Sequence, residues 1–278
     1  MQKFKINFFR YSLDSILVNW PAKISIEIST QINSFSNAIL KNPNILELRK
    51  GYCSLLIIFK TEIDNYEEIC NSLLEIHKKL KSIHPAKKSV WEIPVCYEKQ
   101  FSSDLDDYSN KISLSKDEII EIHSSKIYYL HMYGFLPGFM YLGGLDNRLF
   151  ISRKSIPSRR ILKGSVAIGG AQTGIYPSDS PGGWYVIGKT PINLFNASNF
   201  NQPVIVPVAN YIKFRSISID EFIFIENSIK LINITEKKVS SFHLMFMIKI
   251  TKYLGFYPTI ITSNKNKYFD ANIASKRV

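Results

Sequence analysis

The sequence predicts an α+β protein in two parts, with a basic tail. Three observations predict it. Residues 1–95 alternate strand-like and helix-like apolar patterns. Within a second part spanning 96–230, residues 126–230 shift towards glycine, proline and aromatic residues with short β-prone runs. Residues 231–278 carry eight Lys/Arg against two acidic residues, half of the chain's net charge of +12.

In the first part, "SILVNW" (15–20) and "SLLIIF" (54–59) read as strands and "VWEIPV" (90–95) as another. Between them, residues 25–42 place Ile28, Ile32, Phe35 and Ile39 at helical spacing, and residues 65–82 repeat the pattern through Ile69, Leu73, Ile76 and Leu80. Strand, helix, strand, helix, strand is the signature of a small α/β sandwich with helices on one face of a sheet. His77 falls on a charged helix face and His84 precedes a proline, so both are expected in solvent.

Residues 104–125 read as two short helices, the second opened by a capping box of Ser115 and Glu118. The runs "KIYYLHMY", "GSVAIGG", "GWYVIGK", "PVIVPV", "YIKFRSIS" and "FIFIE" then argue for an antiparallel β-barrel or sandwich. Residues 131–150, "HMYGFLPGFMYLGGLDNRLF", crowd four glycines among five aromatic rings. Glycine suits tight turns and close approach, and rings suit the walls of a core or a pocket. The tail is expected to be helical over about 241–254, where Gly255 and Pro258 stop it.

The 278 residues allow one large domain or two ordinary ones, and 45% hydrophobic content supplies a core. No apolar run reaches the roughly 18–20 residues of a membrane span. "MQKFKINFFRYSLDS" has no apolar block ending in small residues, so no signal peptide is expected. Cys53, Cys70 and Cys96 lack metal-ligand spacing and read as reduced thiols of a cytoplasmic protein. Outside the tail, the basic excess gathers locally at Arg148, Arg153, Lys154, Arg159, Arg160 and Lys163, which favours an anion site over a nucleic-acid surface.

Three blocks, "GFLPGFMYL", "GSVAIGGAQTGIYP" and "PGGWYVIGKTP", occur in an order and spacing that closely resemble the KipI/PxpB family, also called allophanate hydrolase subunit 1 or the carboxyltransferase-type subunit 1 domain. The resemblance extends more weakly from about Phe4 to Glu226. It implies a cyclophilin-like β-barrel after the N-terminal domain. It also implies one member of a cytoplasmic assembly, with a second carboxyltransferase-type subunit (PxpC/KipA-like) and a LamB/YcsF-type subunit. Members in that assembly open 5-oxoproline to glutamate at the expense of ATP; others process urea or allophanate, and one inhibits a sporulation histidine kinase. The family's repeated Pro-Arg pair reads Ser152-Arg153 and Pro157-Ser158-Arg159 here, and its late Gly-Asp turn reads Ala209-Asn210. The tail segment "FHLMFMIKITKYLGFYP" resembles part of the DNA-repair mediator RecO, from which no repair function is expected.

An ATP-dependent lactam hydrolase needs donors for phosphate oxygens and a group to move protons. The resemblance therefore points to His123, Arg153 and Arg159 as catalytic. It points to Lys163, Gly169, Gly170, Gln172, Thr173, Tyr176 and Trp184 as substrate- or ATP-binding, the glycines offering backbone donors. ATP is expected with Mg2+ as its counter-ion, without a tightly bound cofactor or protein metal site. No GxxxxGK[ST] phosphate loop is present. His123 is either a proton carrier or a satisfied structural histidine; His131 reads as structural. Tyr176 and Trp184 either stack on a ligand or pack a core, and Asp179 reads as a turn residue. No Ser-His-Asp or Cys-His set stands out.

Overall fold

The computed structural model describes residues 4–80, 89–199, 201–236 and 259–260. In its first unit, β1 (Asn7–Ser12) and β2 (Ser15–Asn19) form a hairpin. The Asp14 carboxylate fixes the turn by accepting from the Ser12 and Ser15 hydroxyls at 2.5 and 2.9 Å. α1 (Ile26–Ile39) begins at Ser25, whose side chain accepts the Ile28 N–H. β3 (Ile45–Lys50) and β4 (Ser54–Phe59) complete an antiparallel sheet in the order β1-β2-β4-β3, and α2 (Tyr66–Lys79) follows. Ile16 and Val18 of β2 and Leu55, Ile57 and Phe59 of β4 meet the Ile28, Ile32, Phe35 and Ile39 stripe of α1 in one core. His77 differs from expectation. It lies four residues after Leu73, hence on the same helix face, and is buried edge-on against Trp20 and Phe35.

The strand β5 (Ser89–Val95) also differs. It does not close the first sheet but pairs, in parallel, with β13 (Tyr211–Ser216) of a second, eight-stranded sheet. Between them lie α3 (Leu105–Ile112), α4 (Lys116–Ser125) with its Ser115–Glu118 capping box, β6 (Ile127–Tyr133), β7 (Met140–Gly143), β8 (Ser158–Ile161), β9 (Ser165–Gly169), β10 (Gln172–Ile175), β11 (Ser180–Gly182) and β12 (Tyr185–Lys189). The sheet order is β12-β9-β10-β7-β6-β13-β5-β14, where β14 is Thr259–Ile260; β8 and β11 form a separate two-stranded ribbon. The sheet is therefore mixed rather than purely antiparallel. It curls until Cys96, just past β5, exchanges two backbone hydrogen bonds of 2.9 Å with Lys189 of β12. Gly188 permits that seam, because a Cβ there would meet Val95 at 2.8 Å and the Cys96 carbonyl at 3.0 Å.

Two expected strands are absent among the described residues. Residues 203–208 make only a bridge from Val204 to Phe195. "FIFIE" lies inside α5 (Ile219–Glu236), whose first turn is capped by the Ser218 hydroxyl accepting from the Glu221 N–H. The apolar run alone does not distinguish a buried strand from a helix, and the cap decides it. The tail helix expected over 241–254 and His84 lie outside the described residues.

Side chains alternate between the two faces of the curled sheet. Met140, Leu142, Val166, Ile168, Ile175, Tyr185 and Ile187 turn inward, where α3 and α4 add Leu105, Tyr108, Ile119 and Ile122. Phe139, Ala167, Tyr176, Trp184 and Val186 turn outward into a second cluster against Ile161 of the β8–β11 ribbon.

Candidate functional site

The outer cluster is built from rings that meet edge to face. Phe139 lies 4.8 Å from Tyr141, 4.9 Å from Tyr176 and 5.4 Å from Trp184 between ring centres. Trp184 lies flat on the sheet because residue 169 is glycine: a Cβ there would stand 2.6 Å from the indole. The ribbon leaves these rings partly uncovered. A cleft of about 310 Å³ results, lined by Phe135, Phe139, Tyr141, Tyr176, Trp184, Arg153, Pro157, Pro181, Gly182 and Gly183.

The lip of the cleft is the β6–β7 turn. Gly138 has φ +85°, and a Cβ on it would stand 2.5 Å from Phe195. Phe135 has φ +65°, in the left-handed region that costs a non-glycine residue roughly 1–2 kcal/mol. Its ring is 61% exposed and meets Phe139 and Tyr176 edge-on. A strained, exposed aromatic at a cleft is a mark of a functional site. The same turn borders a larger groove, about 890 Å³, whose other wall is Glu47–Lys50 of β3. The two units meet nearby through the Tyr52 hydroxyl, bonded to Gln172, and through Ser29 Oγ, 2.6 Å from His131 Nδ1.

The basic cluster resolves into paired and unpaired members. Lys154 is largely buried, with its ammonium 2.6 Å from Asp104 and 2.8 Å from the Ser158 hydroxyl. Arg148 pairs with Asp146 and Arg160 with Asp179. Asp179 also accepts the Lys163 N–H at 2.8 Å, so it organises a turn, as its sequence context indicated. Arg153 has no ion pair among the described residues and sits over the Trp184 ring, 5.9 Å from its centre. Among the described residues it is the one charged side chain lining the cleft. Arg159 and Lys163 are exposed and do not line it.

The other expected site residues divide sharply. Tyr176 and Trp184 are both packed in the outer cluster and part of the cleft wall. Burial pushes the Tyr176 hydroxyl up to about 12. His123 is fully buried inside the curled sheet, stacked on Phe214, with Nδ1 2.8 Å from the Tyr97 hydroxyl and Nε2 2.9 Å from Thr173 Oγ1. Burial lowers its pKa to about 3, so it is neutral at neutral pH. Its geometry is that of a satisfied structural histidine. Thr173 is buried with it, and Gln172 bonds Tyr52. The amide of Gly170, expected as a phosphate-facing donor, is already bonded to the Ile151 carbonyl, and the nearby amides of Gly164 and Ser165 donate to the carbonyls of Tyr176 and Leu162. Gly169 serves to seat Trp184 instead. Phe135, Phe139 and Tyr141, rings of the Gly-aromatic stretch 131–150 that suits the walls of a core or pocket, line the cleft, though they are not among the site residues expected by number.

Comparison with known proteins agrees with this arrangement. The family described as the carboxyltransferase domain, subdomain C and D, matches residues 6–206. The chain is 38% identical to the B component of 5-oxoprolinase from Bacillus subtilis, over 69% of this chain and 86% of that protein. It is 34% identical to the B component of 5-oxoprolinase from Haemophilus influenzae, over 75% and 97%. Among solved structures, TTHA0988 superposes with a TM-score of 0.63 at 25% identity, covering 73% of this chain and 39% of that one. The urea amidolyase of Kluyveromyces lactis gives 0.66 at 17% identity over 81% and 16%, a likeness of fold. A further match is to the DNA repair protein RecO of Azobacteroides pseudotrichonymphae, 43% identical over 49 residues, or 18% of this chain and 20% of that one. A stretch that short carries no function.

Proposed function

This chain belongs to the carboxyltransferase-domain family, subdomains C and D, and from that premise we propose that it is the B component of a 5-oxoprolinase. The observation that carries the reading is the 34–38% identity to two proteins of that name over most of both partners. The assembly opens the lactam of 5-oxoproline to glutamate and couples this to ATP. Amide resonance makes the lactam carbonyl a poor electrophile. Phosphorylation of its oxygen by ATP removes that resonance. Water then adds at the carbon, the C–N bond breaks as the nitrogen takes a proton, and hydrolysis of the acyl phosphate releases glutamate and phosphate.

In this reading the second unit is a cyclophilin-like barrel whose outer cleft faces the reaction. The chain alone is inactive. A second carboxyltransferase-type subunit and a LamB/YcsF-type subunit complete the enzyme in the cytoplasm. In the Gly-rich segment 164–174, the amides of Gly164, Ser165 and Gly170 are already bonded. In this reading the nucleotide, with Mg2+ as its counter-ion, sits on a surface that the partners complete. The test is ATP hydrolysis by the purified chain mixed with those subunits, with and without 5-oxoproline. Turnover that needs both the acid and all subunits is expected; an assembled complex indifferent to 5-oxoproline overturns the reading.

A further inference from the structure

The geometry points to the outer aromatic cleft as a binding site for one small, compact carboxylate, gripped by Arg153 with its body against Trp184 and Tyr176. Resting on the 5-oxoprolinase reading, that ligand is 5-oxoproline itself, and Arg153 holds its carboxylate rather than its lactam.

Charge selects the ligand class. Lys154, Arg148 and Arg160 are each matched by an aspartate, whereas Arg153, Arg159 and Lys163 have no ion pair among the described residues; of these three only Arg153 lines the cleft. The exposed Arg153 guanidinium stands 5.9 Å from the Trp184 ring centre, and a guanidinium fork matches a carboxylate with two parallel hydrogen bonds. Lys154 anchors the segment from below: its backbone N–H donates to the Gly183 carbonyl at 2.8 Å, and its ammonium is fixed on Asp104. These contacts fix the backbone from which the Arg153 side chain reaches the Trp184 ring. One lining cation balances one negative charge, which disfavours a nucleotide triphosphate, whose phosphates need several donors and a metal. The remaining walls are rings and prolines, suited to a five-membered ring, and a volume of about 310 Å³ suits a ligand of that size.

The experiment follows tryptophan emission of the isolated chain during titration with 5-oxoproline, 2-pyrrolidinone (the same lactam without the carboxylate), cyclopentanecarboxylate (the carboxylate without the lactam) and ATP. It also measures the KM for 5-oxoproline in the assembled complex. The expected result is a signal from both acids but not from 2-pyrrolidinone. It should vanish in Trp184→Phe and need at least tenfold more ligand in Arg153→Gln, with Arg153→Lys intermediate and circular dichroism unchanged. In the complex, Arg153→Gln should raise KM at least tenfold. If the isolated chain gives no signal, the KM shift alone decides. Equal response to 2-pyrrolidinone, a response to ATP alone, or an unchanged KM in Arg153→Gln overturns the site. The two readings fail separately. Turnover of 5-oxoproline with an unchanged KM in Arg153→Gln keeps the enzyme and removes the site. Arg153-dependent binding of cyclopentanecarboxylate, in a complex that ignores 5-oxoproline, keeps a carboxylate site and removes the enzyme reading.

Discussion

Met140 and Leu142 of β7 enter an aliphatic core, while Phe139 and Tyr141 leave the same strand on the other side and wall a cleft. The two faces differ in how their polar groups are answered. On the inner face the Tyr108 hydroxyl donates to the Leu149 carbonyl, Tyr128 to the His123 carbonyl, and both His123 nitrogens have partners. On the outer face a guanidinium stands over an indole without a counter-charge among the described residues. Trp91 Nε1, packed against the inner core, is buried without a hydrogen-bond partner among the described residues, so the faces differ in closure and charge rather than in complete satisfaction: a closed face stabilises the fold, and an open face with an unpaired charge can select a ligand. The contrast also explains why His123 and Arg153, which look equally suited to chemistry in the sequence, have different surroundings. His123 is sealed on the closed face, and Arg153 is presented on the open one.

The largest expected effect separates the faces by acid titration. A histidine buried neutral has a folded pKa below its unfolded one, so the unfolded chain binds the proton first and stability falls as pH drops. For His123 the loss should run from about pH 6.5 down to about 3, and for His131 down to about 4, each at up to about 1.4 kcal/mol per pH unit. Urea midpoints measured across that window should show the slope, and His123→Gln should remove its share and leave that of His131. An unchanged slope would place the acid sensitivity elsewhere.

Next in size, Leu142→Ala on the inner face should cost about 3 kcal/mol by urea denaturation, since it opens a cavity in a packed core. Tyr141→Phe on the outer face should cost less than about 1 kcal/mol. Equal costs would dissolve the distinction between the faces.

The smallest effect concerns strain. Ala209 has φ +69°, at the place where the family resemblance expects glycine, and Phe135 has φ +65° at the cleft lip. Ala209→Gly should gain about 1 kcal/mol in stability without touching ligand binding. Phe135→Gly should gain less, because it loses ring contacts with Phe139 and Tyr176, and should weaken 5-oxoproline binding. If both variants gain alike and bind alike, the strain at Phe135 serves no site.

Much of this was legible in the chain itself. The 3.6-residue spacing of Ile28, Ile32, Phe35 and Ile39, the capping box at Ser115 and the three glycine-aromatic blocks specified α1, α4 and the family, because each is encoded by neighbours in the chain. The helical fate of "FIFIE" was missed, although Ser218 and Glu221 signalled a cap. The sequence by itself determined which residues alternate, which turns need glycine and which blocks travel together. Only the tertiary structure decided which sheet β5 joins, which face of β7 becomes the cleft, and which basic residue finds a carboxylate. Asp104 reaches Lys154 and leaves Arg153 unmatched through contacts between segments distant in the chain, and no local pattern records a contact of that kind.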